Sequence, residues 1–347
     1  MATNRPFSLM DLPAEILYEI CESLSDFGCD PTCETQEENP YEIPARLAAL
    51  SALSRTCWTL RDIAQPILHQ NFPLMTSVGR GYERIFQFAR TLIERPDLAQ
   101  KVRIVGLDYS LPARLSFGSR FYSMLPPSSN ALATHYNLEH PNTRSDDARV
   151  MDFMRQLVLC LATEVQCVNI ANLPSPNLAP GRDPANPDQE LPNVDLKKLT
   201  RLRIKGESFY PFPRELAGRE PSCLLTAANI TTLEMTYTTD VKNFFHTPSL
   251  PPIQLEMINR LDFVFCCFSS FFLAAMAESC GNLRQLTYIS GDGVTAHGLP
   301  PAEWVPPSFY NFNQGSITPC ELSMVFTRIA RGLRRLKVLV LEFPNED

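Results

Sequence analysis

The sequence predicts a mixed α/β protein: a short helical N-terminal unit followed by a long, repetitive array of parallel strands. Three observations carry this. Apolar residues recur at spacings of three and four over the first seventy positions. An apolar-x-x-apolar-x-apolar pattern then recurs seven times. Several copies follow an amphipathic helical stretch, and helices alternating with strands imply a parallel sheet.

The chain has 347 residues, of which 44% are hydrophobic and 20% charged. At about 150 residues per domain, the length predicts two domains. Thirty prolines against fourteen glycines imply several rigid, irregular connections. A net charge of −7 argues against a general nucleic-acid or anionic-membrane binder. The first residues lack an apolar run long enough for a signal peptide. The longest charge-free apolar stretch, 15 residues between Asp262 and Glu278, falls short of the roughly 20 needed to span a bilayer. It reads as a buried strand plus a buried helix. Eleven cysteines, an odd number, fit reduced thiols in the cytoplasm or nucleus. The Asn229-Ile230-Thr231 sequon carries no weight without a secretory signal.

Pro13 suits a first helical position, and Asp11 and Glu15 complement the positive end of a helix dipole. Leu12, Ile16, Ile20 and Leu24 then recur every four residues, beside Leu17 and Cys21, along a helix of about twelve residues. From Glu22 to Glu42 there are seven acidic residues and no basic ones, so a solvated loop is expected over 25–45. Periodicity resumes at Leu47 and continues through Leu50, Leu53, Cys57 and Leu60, then Ile63, Ile67 and Leu68, with Pro66 predicted to kink or break the helix. So small a helical unit cannot bury wide apolar stripes alone.

LPAEILYEICESL followed by LSALSRTCWTLRDIAQPILHQNF resembles an F-box over residues 8–72. Leu12, Pro13, Glu15, Ile16, Leu17 and Ile20 match its first half; Leu53, Cys57, Trp58 and Leu60 match its second. The acidic insert makes the motif about 20 residues longer than usual and departs from the family at the middle helix. The resemblance implies an adaptor of a cullin-type ubiquitin ligase, bound to a Skp-family linker protein and through it to a cullin. Leu12, Pro13, Ile16, Leu17, Ile20, Leu53, Cys57 and Trp58 are the implied linker contacts.

The seven repeat copies are Val102-Val105-Leu107, Val165-Val168-Ile170, Leu199-Leu202-Ile204, Ile230-Leu233-Met235, Ile258-Leu261-Phe263, Leu283-Leu286-Tyr288 and Leu336-Leu339-Leu341. Their starts are separated by 63, 34, 31, 28, 25 and 53 residues. The middle values lie near the leucine-rich-repeat period. Helical patterns precede the first copy (Tyr82 to Ile93), the second (Val150 to Leu161), the sixth (Phe271 to Met276) and the seventh (Leu322 to Leu333). Thr318, Pro319 and Glu321 form a capping box for the last. The spacing permits a curved solenoid or a doubly wound sheet. With the F-box before it, the array resembles F-box/leucine-rich-repeat proteins, particularly divergent fungal ones. An irregular solenoid over 80–347, with a curved parallel sheet, is therefore expected. The family's Asn or Cys three residues after the last strand leucine is matched only at Cys266. Segments 126–147 and 174–195 are expected to lack order.

No P-loop, G-x-S-x-G or H-E-x-x-H motif is present, and no His or Cys set has metal-ligand spacing. Cys29 and Cys33 form a weak metal signal without a partner pair. No cofactor and no catalytic residue is therefore named. Binding to a protein target is what remains. Arg201, Arg203 and Lys205 alternate along the third copy and place three cations on one strand face. Glu234 and Arg260 lie on the corresponding face of the next two copies. An acidic or phosphorylated ligand would suit the cations; a solvated strand face in an acidic protein is the favoured reading. An F-box scaffold that delivers no target, or an α/β enzyme without a local motif, are the alternatives to a ligase adaptor.

Overall fold

The computed structural model describes residues 9–25, 42–72, 81–108, 124, 126–138, 140–141, 147–171, 196–205, 229–236, 255–266, 280–290 and 335–342. A 3-10 turn, Leu9–Asp11, leads into α1 (Ala14–Ser25), α2 (Glu42–Leu53) and α3 (Trp58–Gln70). The chain continues through β1 (Asn71–Phe72), α4 (Gly81–Glu94), α5 (Pro96–Ala99) and β2 (Ile104–Asp108). Then come α6 (Ser129–Tyr136), α7 (Asp147–Leu161), β3 (Cys167–Ala171), β4 (Arg201–Lys205) and β5 (Thr232–Thr236). A second 3-10 turn, Leu255–Met257, precedes β6 (Arg260–Cys266), followed by β7 (Gln285–Ser290) and β8 (Val338–Glu342).

All eight strands form one parallel sheet in the order β1-β2-β3-β4-β5-β6-β7-β8. Among the described residues sequence neighbours are sheet neighbours, with no reversal of order of the kind that defines a doubly wound sheet. All seven apolar copies fall on strands, and their register aligns them. Val105, Val168, Leu202, Leu233, Leu261, Leu286 and Leu339 occupy one row, and the last apolar position of each copy occupies another. From β2 to β7 both rows are buried in one continuous core, which also takes Ile85, Phe86, Ala89 and Leu92 of α4 and Met154, Leu157 and Val158 of α7. Period-two burial in the strands and three-to-four spacing in the helices bring the two layers face to face. The first apolar residue of each copy sits in the turn before its strand; Val102, Val165, Leu199, Ile230, Ile258 and Leu283 are all buried there.

Each turn is bonded to the one before it. Two successive N–H groups converge on a single carbonyl of the preceding turn: Gln166 and Cys167 on Arg103, Thr200 and Arg201 on Gln166, Thr231 and Thr232 on Thr200, Asn259 and Arg260 on Thr231. Side chains one position before the first apolar residue add cross-links. Asn229 donates to the Lys197 carbonyl and Asn282 to the Glu256 carbonyl, both at 2.7 Å. Glu164 meets Lys198 at 2.5 Å, and this bond holds its carboxyl below the usual carboxylate range. The asparagine cross-links sought after the strands are therefore found before them.

α1, α2 and α3 pack on one another around a separate small core of Cys21, Leu50, Ala64 and Ile67. The helical pattern breaks at residues 54–57, between α2 and α3, rather than at Pro66, which lies inside α3. Pro66 removes one backbone donor, but Ala64 and Ile67 on either side of it are buried, and the chain stays helical through it. α2 begins at Glu42, inside the span expected to be loop. α3 runs directly into β1, whose Asn71 side chain donates to the Ser25 carbonyl at the end of α1 (3.1 Å). Phe72 stacks on Phe88 of α4 at 4.3 Å between ring centroids. Within 126–147, expected to lack order, the structure places α6. Segment 174–195 and the two helical patterns at 271–276 and 322–333 lie outside the described residues.

Candidate protein-binding surfaces

Two surfaces collect the residues singled out from the sequence. The first is on the helical unit. Cys57 precedes α3 with an extended backbone (φ −154°, ψ 167°), and its thiol reaches Met10 Sδ at 3.7 Å. That contact joins the start of α1 to the start of α3, so the two halves of the F-box-like pattern lie side by side. Trp58, first in α3, is 76% exposed, with the Arg61 guanidinium 5.2 Å from its ring centroid. Ile16 is 39% exposed, and Leu9, Met10 and Tyr18 are also exposed. Pro13 is exposed; Leu12, Ile20 and Cys57 are half-buried.

Two of the eight implied contacts point elsewhere. Leu17 is 2% exposed, so it belongs to the interior of the unit rather than to its surface. Leu53 packs against the small helical core. The reason is geometric: residues 17, 21 and 24 share one face of α1, whereas 16 and 20 share its flank and Leu12 precedes the helix. A four-residue spacing alone does not tell a core face from a flank. Leu9, Met10 and Tyr18 were missed because they lie outside the family pattern.

The second surface is the face of the sheet opposite the core. Arg203, Glu234 and Asp262 stand in one row across β4, β5 and β6. Arg203 Nε donates to Glu234 Oε2, and Arg201 Nε lies 3.3 Å from Glu234 Oε1. Arg260 Nε donates to Asp262 Oδ2. Lys205 is exposed at the end of β4. Two of the three cations predicted to grip an anion thus converge on one carboxylate from the next strand. The pairing is invisible in sequence, because the partners are about thirty residues apart and meet only through the register. Asp262 and Thr287, adjacent in that register, are both buried on this face.

A third arrangement has the appearance of chemistry. Ser129 Oγ and His140 Nε2 lie 3.0 Å apart, and the imidazole sits edge-on to Phe153. Ser129 is buried at the first turn of α6, away from solvent. The bond links α6 to His140, and the ring contact with Phe153 carries that link to α7, rather than presenting a nucleophile to a substrate. Cys21, Cys57 and Cys280 are free thiols. Burial pushes the Cys280 thiol up to about 12, so it is an inert packing residue. Among the described residues no cluster of His, Cys, Asp and Glu has the composition of a metal site, and no helix is long and apolar enough to cross a membrane. No family model and no curated protein sequence matches the chain.

Proposed function

We propose that this chain is a substrate-recruiting adaptor of an SCF-type (Skp-cullin-F-box) ubiquitin ligase. In this reading residues 8–72 are an F-box that binds the Skp-family linker, and residues 80–347 form a leucine-rich-repeat-like solenoid that holds a target protein. The observation that carries it is exposed Met10 and Trp58, brought together through Cys57, on a helical unit that already has its own core, with Ile16 also exposed on α1. Grouped apolar surface of this kind marks a docking site. The strictly sequential strand order supports the solenoid, since an array of like units stacks each strand on its predecessor. The adaptor needs no cofactor and makes or breaks no bond. It holds a target lysine near a charged conjugating enzyme and so raises their effective concentration. Its place is the cytoplasm or nucleus.

The test is retention of the purified Skp-family linker by the full chain and by an Ile16→Asp/Trp58→Asp double variant. Both substituted side chains are exposed, so the variant keeps its fold. Binding by the wild type and its loss in the variant, at unchanged melting temperature, support the adaptor. A folded wild-type chain that retains no linker overturns it and returns an α/β enzyme to consideration.

A further inference from the structure

β8 departs from the rest of the sheet. Val338, Leu339 and Val340 are 44%, 39% and 36% exposed, whereas the equivalent positions Leu286 and Thr287 of β7 are buried. Among the described residues β8 has a neighbour on one side only. Among those residues its other edge is unpaired and runs beside exposed apolar side chains, the arrangement that accepts an added strand.

The start of this strand is cationic. Arg284 and Lys337 are register neighbours, and the Lys337 N–H donates to the Arg284 carbonyl at 2.7 Å. Both side chains are exposed, as is Arg335, which donates to Asn282 Oδ1. No carboxylate among the described residues pairs with any of the three. Like charges directly opposite one another destabilise a sheet. They gather here in a chain of net charge −7. Elsewhere on the sheet Arg201 and Arg203 of β4 are matched by Glu234, and Arg260 of β6 by Asp262.

We propose that the β8 edge is a docking site for an extended segment of a partner protein, one that alternates apolar residues and carries acidic residues at the end beside Arg284, Arg335 and Lys337. Main-chain bonds to β8 would supply affinity, Val338 and Val340 an apolar footing, and the three cations the direction and register of the segment. A lipid surface would offer the cations similar charge but could not satisfy the open backbone of a strand edge. This site is separate from the helical surface and does not rest on linker binding.

The experiment measures binding of the full chain to a short synthetic peptide of alternating Val and Thr with two Glu at one end. Two analogues serve as controls: Lys in place of Glu, and N-methylation of alternate amides. The expected result is binding that weakens with salt, with both analogues at least about tenfold weaker. An Arg284→Glu/Lys337→Glu variant should reverse the preference toward the Lys peptide. The proposal is overturned if no peptide binds, if the Lys and Glu peptides bind equally, or if N-methylation has no effect. Phosphatidylserine vesicles that bind where the Glu peptide does not also overturn it, as does sedimentation showing β8 occupied by a second copy of the chain.

Discussion

Arg155 lies one turn along α7 from Asp152 and meets its Oδ1 at 2.7 Å, and both side chains are buried. A second guanidinium nitrogen donates to the Asp108 carbonyl at 2.6 Å. The pair therefore fastens the helix to the end of β2. A buried ion pair gains little over well-packed apolar residues, but losing one partner strands the other charge in the core. Asp152→Ala or Arg155→Ala should each cost about 3–5 kcal/mol. An Asp152→Leu/Arg155→Met double variant should be markedly more stable than either single one. Urea unfolding of the four proteins checks this.

Leu17 and Ile16 are sequence neighbours with opposite roles. Leu17 is buried, so Leu17→Ala should destabilise the chain by about 2–5 kcal/mol through the lost contacts and the cavity left behind. Ile16 is exposed, and Ile16→Ala should stay within about 0.5 kcal/mol of the wild type. Thermal unfolding separates the two. The comparison also identifies which substitution can probe a binding surface without unfolding it.

What could be read in the sequence followed from local periodicity. The seven apolar copies are strands because two inward residues per strand leave a signal at spacing two. The patterns preceding Val102 and Val165 are helices because each buries a full stripe. β1 left no such signal: it is two residues long and is defined by its ladder to Ile104 and Val105. The break between α2 and α3 went to Pro66, yet packing around Ala64 and Ile67 outweighs a lost backbone bond. The charged rows on the sheet needed the register. Arg203 and Glu234 are partners only because β4 and β5 are adjacent. Asp152 and Arg155 resemble a solvated helix face in sequence, and only the position of β2 beneath α7 makes them a buried pair. For the same reason the exposed surface of the helical unit was half legible: Ile16 and Trp58 were named, but Leu9, Met10 and Tyr18 were not.

Asn137 closes α6 in the left-handed region, with φ at 54°. The Leu138 N–H returns to the Ala133 carbonyl at 2.8 Å, and Leu138 and Ala133 are both buried. This is a Schellman-type end, for which glycine is the preferred residue and asparagine the usual substitute. Asn137→Gly should hold stability level or raise it by up to about 1 kcal/mol. Asn137→Val should cost about 1–2 kcal/mol, because a β-branched side chain resists positive φ. Differential scanning calorimetry of the pair decides whether the turn is formed as described.

His69 sits where the helical unit meets the sheet, stacked on Phe88 with its Nδ1 2.8 Å from the Gln65 carbonyl. Burial lowers its pKa below the ordinary value of 6.5; the bond to Gln65 opposes this, Arg95 adds a small lowering effect and Asp97 a small raising one. The unfolded chain therefore binds this proton more readily than the folded chain does. The stability that depends on a neutral His69 is complete above the unfolded pKa and is lost as pH falls through 6.5 toward the depressed folded value. A His69→Phe variant keeps a ring against Phe88 but carries no proton to gain. Urea midpoints measured from pH 8 down to about pH 5 should fall more steeply for the wild type than for His69→Phe. Parallel slopes would mean that His69 remains solvated and that the α3–β1 junction is looser than the Phe72–Phe88 stack implies.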